Sequence, residues 1–330
     1  MAEINVASKL SFGEIAKRTA PGGGLLEIFE AMNEVNPELS RIPAVPCNQQ
    51  YSHKISRRTS LPTGTWRQAY QGTTAKASTT QVATFGTALL EAISEVDATL
   101  IDTSSDPKGT RRQEDMAFVQ GMSEQVWEAI ITGTTTAYPE RFDGLQTYLN
   151  SLSQTMVFDG GNAGGTSIYV CDFSPQGCYL IYPSGVRDRG TLGLTIDTNP
   201  TGGNGKVWVQ DDSDGNYLAY RTLFQWWLGF VVRDELAIGR IANINPTVGG
   251  SNTFDENDLI ELLEYGHFKG RGTTILCSKE IKAQMRIRLK DKANVNFSTA
   301  MGLSGEEILM FGNTPVFRCD AISTSESTVT

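Results

Sequence analysis

Acidic residues are missing from one long segment of this chain. Residues 39–90 contain no Asp or Glu, yet they carry Arg41, Lys54, Arg57, Arg58, Arg67 and Lys76. The whole chain has a formal charge of −9, so the other residues together carry −15. An acidic protein does not coat nucleic acid as a whole, so any contact with a polyanion would have to be local to this segment.

Histidine is rare and cysteine follows no metal-binding spacing. The cysteines are odd in number and irregularly spaced, which predicts free buried thiols: Cys47, Cys171, Cys178, Cys277 and Cys319. His53 and His267 have no matching ligand nearby in sequence. The motifs GxSxG and HExxH are also absent. The sequence therefore predicts no enzyme, no cofactor and no metal site.

Long apolar runs are absent too. The longest, such as "LGFVV", fall far short of the roughly 20 residues that a membrane span needs. The first ten residues lack the basic region and apolar stretch of a secretory signal. With 330 residues, 39% of them hydrophobic, the sequence predicts a globular protein of about two lobes with no membrane partner, cytosolic at least at synthesis.

The strongest helix prediction covers residues 107–132, with Asp106 as the cap, Pro107 in the first turn and Gly133 at the end. At 1.5 Å per residue its 26 residues span about 39 Å, which is long for a globular domain.

Residues 87–101 have apolar residues at roughly helical intervals, which favours a helix, although a strand at the end of the segment stays open. Short helices are predicted over "SFGEIAKRT" and "LLEIFEAMNEV" near the N-terminus.

From about residue 165 the pattern is typical of strands, including "KVWVQ" and "NYLAYRTLFQWWLGFVV". Helices are predicted over "DENDLIELLEY" and "KEIKAQMRIRLKD" between further strands, so the last third is predicted to be a mixed α+β lobe.

The glycine-rich "DGGNAGG" leads into a strand and lacks GK[ST], so it predicts a flexible loop and not a phosphate site. "DDSDGN" lacks the carboxylate of a calcium loop and predicts a hairpin turn.

The basic segment includes residues 48–86, which favour a long hairpin with little to bury on either face. Three interpretations are open: an arm that binds nucleic acid, a solvated loop, or an arm that docks on another subunit. Tyr51, Trp66 and Tyr70 suit base stacking, but the acidic chain argues against a nucleic-acid arm. Docking on an acidic neighbour explains both the charge asymmetry and the missing local core.

The order of these elements resembles the major capsid protein of tailed bacteriophages, across nearly the whole chain. It is most similar to the short-tailed-phage branch, on the segments "PERFDGLQTYL", "GGNAGGTSIYV", "GCYLIYPSG" and "DGNYLAYRTLFQWWLGFVVRDELAIGRIANI". The resemblance implies an α+β capsid fold with four parts. These are an N-terminal arm (1–47), an extended hairpin called the E-loop (48–86), a P-domain (87–150 and 181–245) containing a spine helix (about 107–132), and a mixed α+β A-domain (151–180 and 246–330).

The same resemblance implies a structural subunit, without turnover, that forms hexamers and pentamers of an icosahedral capsid around double-stranded DNA. It implies a place in the virion capsid after assembly in the bacterial host cytoplasm. The implied partners are other copies of the chain, a portal protein, and scaffolding or decoration proteins, with only weak non-specific DNA contact. Candidate inter-subunit contacts are Lys54, Arg57, Arg58, Trp66, Arg67, Tyr70 and Lys76. An encapsulin-type compartment shell, which shares the fold, is the main alternative, and an enzyme that binds a nucleotide at the 159–166 glycine loop is a second.

Overall fold

The structure is a computed structural model. It describes residues 36–37, 39–186, 194–198, 205–210, 214–268, 272–290, 296–301 and 307–330. The two short helices predicted near the N-terminus, over "SFGEIAKRT" and "LLEIFEAMNEV", lie outside the described residues.

The described residues form a run of strands, three helices, a second run of strands, and a last part in which helices and strands are mixed. The strands are β1 (Ala44–Pro46), β2 (Ser52–Ser60), β3 (Thr79–Gly86), β4 (Ala88–Asp97), β5 (Val157–Asp159), β6 (Thr166–Asp172), β7 (Cys178–Tyr182), β8 (Leu194–Asp197), β9 (Lys206–Gln210), β10 (Asn216–Val232), β11 (Ile238–Ile244), β12 (Thr273–Cys277), β13 (Phe297–Met301), β14 (Glu307–Phe311) and β15 (Thr314–Arg318). The helices are α1 (Ala98–Asp102), α2 (Pro107–Thr132), α3 (Leu145–Tyr148), α4 (Glu256–Tyr265) and α5 (Lys279–Leu289). Short 3-10 turns cover Leu39–Arg41 and Glu235–Ala237.

The first sheet is organised around the long strand β10. Its order is β1-β7-β10-β4, and β8 and β9 also pair with β10. Strand β4 runs antiparallel to β10 over ten residue pairs, from Ala88↔Leu228 to Asp97↔Ala219. The β9–β10 pair is antiparallel, as the turn predicted at "DDSDGN" requires. One face of this sheet carries α2, where the rings of Phe118 and Phe224 stack with centroids 5.8 Å apart.

Helix α2 has the predicted bounds. A side-chain oxygen of Asp106 accepts a hydrogen bond from the backbone N–H of Gly109 at 3.0 Å, and Pro107 occupies the first turn. Its buried residues face the sheet and the core: Thr110, Met122, Val126, Trp127, Ile130 and Ile131. The prediction of this helix from its cap, its first-turn proline and its terminating glycine is confirmed.

The second sheet is mixed and has the order β13-β14-β15-β12-β6-β11-β5. Its central strands β6, β11 and β12 are buried at every residue. Both helices predicted for the last third form, as α4 and α5, so the mixed α+β prediction for this part is confirmed. The glycine-rich segment at 159–166 leads into β6, as the loop interpretation predicted.

The helix favoured over residues 87–101 is wrong. Residues 88–97 form strand β4, and only 98–102 are helical, capped by a side-chain oxygen of Asp97 that accepts from the N–H of Thr99 at 2.7 Å. Ten pairs with β10 stabilise the extended chain, and such tertiary pairing overrides a weak helical periodicity. The segment "TWRQAY", whose residue types favour a strand, also forms no strand.

The two sheets divide the chain close to the predicted domain boundaries but not at them. Strand β7 begins at Cys178 in the first sheet, while β11 lies in the second. The predicted ranges place the end of the A-domain segment at 180 and all of β11 in the P-domain. The ranges remain a prediction, and the sheet pairing offers 178 and 238 as alternative positions for the boundaries.

Candidate inter-subunit contact surface

Strands β2 and β3 form a separate two-stranded ribbon, called here the hairpin (residues 52–86). They pair antiparallel from Ser52↔Gly86 to Ser60↔Thr79. At nine residues of about 3.4 Å each, β2 carries the chain roughly 30 Å from its start. Residues 61–78, called here the tip, connect the strands without regular secondary structure. Every residue of the tip is exposed.

The root of the hairpin packs on the first sheet through a small apolar cluster. Cys47, Tyr179, Ile181 and Val231 are its buried members, and Val45, Ile55 and Phe85 pack against them. Strand β10 also approaches the hairpin closely, because a Cβ at Gly229 would lie 2.5 Å from the carbonyl oxygen of Gly86. The hairpin therefore has a core only at its root, and the rest has little to bury, as the sequence predicted.

Arg57 is held by its own subunit. Its Nη1 donates to Oε1 of Glu235 at 2.6 Å, and its Nη2 donates to the backbone carbonyl of Val232. The side chain is 25% exposed. Although Arg57 is among the predicted inter-subunit residues, the structure gives it an intramolecular role in anchoring the hairpin to the body.

We expect Arg57→Met to loosen the hairpin without unfolding the subunit. Glu235 is 77% exposed, so water screens its ion pair with Arg57, which contributes no more than about 1 kcal/mol, and the effect is local. Hydrogen exchange at the amides of 52–60 and 79–86 is expected to accelerate severalfold, since their protection depends on this contact. Arg58→Met is the control, because Arg58 is exposed on the same strand. Equal exchange in both variants would contradict the anchoring role.

The other predicted contact residues lie along the hairpin with their side chains toward solvent. Lys54 has its backbone N–H bonded to the side chain of Asn48 at 2.8 Å and is itself exposed. In the tip, Arg67 Nη1 donates to the carbonyl of Gln71 at 2.8 Å, and Lys76 Nζ donates to Oγ1 of Thr63 at 3.1 Å. These contacts are local to the tip and leave its outer surface open.

The tip exposes large aromatic rings completely. Trp66 and Tyr70 have relative exposures of 102% and 105%, and Leu61 is also exposed. Tyr70 has a φ of 68°, a conformation that bulky residues rarely adopt. Sequence reasoning selected both aromatic residues but missed Leu61, whose only signal is an apolar side chain beside Pro62 in a basic segment.

A cleft of about 300 Å³ lies between α2 and the strands β4 and β10. Its floor is apolar and includes Leu90, Val126 and Trp226. Glu128 and Glu140 lie at its margin, and Arg141 pairs with Glu128 at 3.4 Å. The cleft thus combines an apolar floor with a margin on which Arg141 offsets Glu128 and the exposed Glu140 leaves one negative charge, opposite in sign to the hairpin.

Among the described residues, no group of three or more His, Cys, Asp or Glu residues could hold a metal ion. All five cysteines are free and buried, as predicted. Burial raises the pKa of Cys47 to about 11 and the pKa values of Cys277 and Cys319 to about 12, so these thiols are protonated and weakly nucleophilic at neutral pH. No helix among the described residues has the length and hydrophobicity to span a membrane.

An extended hairpin, a long helix on a sheet and a second mixed sheet together define a tailed-phage major capsid fold. The family model for "Major capsid protein GP7" matches residues 20–330, and the chain belongs to this family. It is therefore a structural subunit of a phage capsid, located in the virion capsid.

Comparison with solved structures agrees with the family. A chain from the near-atomic-resolution structure of bacteriophage Epsilon15 is 25% identical, with a TM-score of 0.73 over 100% of this chain and 99% of that one. A chain of the bacteriophage JBD30 capsid shares the fold at 10% identity, with a TM-score of 0.50 over 88% of this chain and 93% of that one. A search of curated proteins returned no match.

An encapsulin is also among the similar structures, though only distantly. A chain of the holo-SrpI encapsulin complex from Synechococcus elongatus is 11% identical and has a TM-score of 0.47 over 74% of this chain and 100% of that one. A likeness at that level does not bear on function. The family match supports the phage capsid subunit over the compartment-shell alternative.

Proposed function

We propose that the chain assembles into hexamers and pentamers that close an icosahedral capsid around double-stranded DNA, and that its hairpin is the E-loop that docks on a neighbouring subunit. The observation that carries the docking role is the fully exposed tip. The side chains of Trp66 and Tyr70 are fully exposed and pack on no other part of the described residues, although aromatic residues are among the most favourable anchors of protein interfaces. A soluble monomer gains nothing from holding them in water.

The charge of the tip indicates which surface of a neighbouring subunit it would bind. Because residues 39–90 contain no acidic side chain, the tip suits an apolar surface edged with carboxylates. The cleft between α2, β4 and β10 has that chemistry, with Glu140 exposed at its margin. Strand β4 starts at Ala88, directly after the root of the hairpin, so the tip of the same chain lies about 30 Å away from it. Only the tip of another copy can enter such a site.

When the tip of one copy contacts the body of another, the interface joins two different surfaces and is heterologous. Repeated heterologous interfaces generate rings when the rotation closes. Rings are the form that hexamers and pentamers take. The arrangement also accounts for the candidates Lys54, Arg58, Arg67 and Lys76, which point to solvent in the subunit and are available to acidic side chains of a neighbour.

The remaining partners follow from the capsid role. A chain with a net charge of −9 repels packaged DNA overall, which supports weak, non-specific contact with the genome. A portal protein and scaffolding or decoration proteins are the further partners that we propose. Assembly takes place in the cytoplasm of the bacterial host. We also propose that the protein catalyses no reaction, in keeping with the structural role of its family.

Replacing both Trp66 and Tyr70 with serine tests the docking role of the tip. We expect the purified subunit to keep its unfolding midpoint, because both rings are fully exposed. The yield of closed particles, measured by electron microscopy and sedimentation, is expected to fall at least about tenfold, since each lost anchor costs 1 kcal/mol or more per interface. The double replacement with phenylalanine keeps the rings and is the control. A serine variant that assembles at normal yield would remove the tip from the interface.

A further inference from the structure

The second sheet carries two helices whose outer sides have opposite charge. Helix α4 packs on β11, and helix α5 packs on β13 and β15. In the sheet order β13-β14-β15-β12-β6-β11-β5, these positions lie toward opposite edges. At about 4.8 Å per strand spacing, the β5 edge and the β13 edge are roughly 29 Å apart. One subunit therefore cannot bring its own two edges together.

The side of α4 that faces the β5 edge is acidic. Asp258, Glu261 and Tyr265 lie in line along this helix, at i, i+3 and i+7. Tyr265 shows the direction of this side, because its ring centroid lies 6.1 Å from that of Phe158 on β5. Asp159, the last residue of β5, adds an exposed carboxylate. The carboxylates of Asp159, Asp258 and Glu261 are called here the acidic edge.

The acidic edge has little positive charge near it. Residues 241–268 contain no Lys or Arg, and Glu261 makes no ion pair among the described residues. Burial raises the pKa of Asp258, and the neighbouring carboxylates of Asp255, Glu261 and Asp159 raise it further. Carboxylates that oppose each other's ionisation in this way favour the approach of a cationic side chain.

The side of α5 that faces the other edge of the sheet is basic. Lys279, Arg286 and Lys290 are exposed and lie in line along the helix, at i, i+7 and i+11. Arg286 shows the direction of this side, because its Nη2 lies 3.9 Å from Oε2 of Glu307, the first residue of β14. Lys279, Arg286 and Lys290 are called here the basic edge.

The geometry of the two edges suits a contact between different copies. At 1.5 Å per residue, α4 is about 15 Å long and α5 about 17 Å, so both edges spread their charges over a similar length. Tyr265 is 56% exposed and offers a ring face on which a Lys or Arg side chain can lie. A contact between one edge and the other joins two different surfaces, and such contacts repeat into a ring when the rotation closes.

We propose that the acidic edge of one copy binds the basic edge of the adjacent copy in the ring. The inference rests on the ring assembly proposed above, but not on docking of the tip, because the hairpin root packs on the first sheet and both edges belong to the second. Opposite charges attract and like edges repel, so this contact fixes the direction in which successive copies are joined.

A mixing experiment with charge-reversed subunits tests the proposal. The first variant carries Glu261→Lys with Glu264→Lys, where Glu264 is the exposed residue nearest to the acidic edge on α4. The second variant carries Lys279→Glu with Arg286→Glu. Each variant then has two edges of the same sign, so each alone is expected to form at least about tenfold fewer rings than the wild type. Sedimentation and electron microscopy measure the rings.

An equal mixture of the two variants is expected to recover six-membered rings, because the two kinds of copy can alternate with opposite charges at every contact. Five-membered rings cannot alternate throughout, so closed particles that need them are expected to recover less. A repulsion inside one subunit would persist in the mixture. A mixture that forms no more rings than either variant alone would therefore overturn the proposal.

The matched control is Lys108→Glu with Arg112→Glu, which makes the same change of net charge on exposed residues of α2. It is expected to form rings like the wild type, and a loss equal to that of the second variant would overturn the role of the edges. All variants are expected to keep their urea midpoint, because the replaced side chains are exposed.

Two further outcomes separate this inference from the proposed function. If the wild-type chain itself forms no rings, the proposed assembly fails and the edge contact fails with it. If the wild type and both charge-reversed variants form rings equally well, the assembly stands and only the edge contact is overturned.

Discussion

Replacing residues 61–78 with a two-residue Asn-Gly turn is expected to abolish formation of closed particles while the subunit stays folded. Within the described residues, these side-chain hydrogen bonds of the tip stay inside it: Arg67 donates to Gln71, and Lys76 donates to Thr63. The anchoring contacts of Ile55, Arg57 and Phe85 remain, because they lie on the strands. Asn-Gly closes a two-stranded ribbon in a type I′ turn.

The two outcomes of this excision are measured separately. The free energy of unfolding in urea is expected to change by less than about 1 kcal/mol, because surface segments without partners contribute little. The yield of closed particles is expected to fall at least about 100-fold, since every copy loses its aromatic anchors at once. Closed particles of normal size and yield from the excised chain would show that the hairpin is not the E-loop.

A replacement of the tip by a Gly/Ser segment of equal length is the matched control. It keeps the length of the connection and removes Trp66, Arg67, Tyr70 and Lys76. If both variants fail to assemble, the side chains of the tip are responsible. If only the excised chain fails, the length of the hairpin matters and its aromatic residues do not.

Arg240→Met is expected to destabilise the subunit by about 3–5 kcal/mol, the usual cost of leaving one partner of a buried ion pair alone. The side chain of Arg240 is 1% exposed and that of Glu326 is 6% exposed. Arg240 Nη2 donates to Oε2 of Glu326 at 2.8 Å, its Nη1 donates to the carbonyl of Leu149 at 2.8 Å, and its Nε donates to Oγ of Ser167 at 3.0 Å. One guanidinium thus joins β11, β6, the residue after α3 and the segment around Glu326.

Urea unfolding of the purified subunit measures this effect through its midpoint. Arg141→Met is the control, because the Arg141–Glu128 pair is exposed and contributes no more than about 1 kcal/mol. The double variant Arg240→Met with Glu326→Leu is expected to recover part of the loss, since it leaves no unpaired buried charge. A loss below about 1 kcal/mol for Arg240→Met alone would contradict the role of this network.

The candidate surface was partly predictable. The missing acidic residues and the missing core of residues 48–86 are properties of composition, and they led to Trp66, Arg67, Tyr70 and Lys76, all of which lie in the exposed tip. Arg57 belongs to the same run of basic residues. Its partner Glu235 is 178 residues away, so no local pattern indicates that it anchors the hairpin within the subunit.

Arg240 shows the same limit. A charged residue inside the apolar run "LAIGRIANI" signals a buried partner, because a buried charge without one is costly. The partner Glu326 is 86 residues further along the chain. The sequence pattern therefore indicates that Arg240 needs a partner within the fold, but it does not identify Glu326 as that partner.

The sequence by itself determined helix α2, the strands and helices of the last third, and the exposed basic tip. Each depends on interactions within a few residues: caps, apolar periodicity and local charge. The tertiary structure alone decided that 88–97 is a strand, that Arg57 faces its own subunit, and that an apolar cleft lies between α2, β4 and β10. These features arise where distant segments pair or pack, and the free energy of such contacts exceeds the weak local preference of either segment.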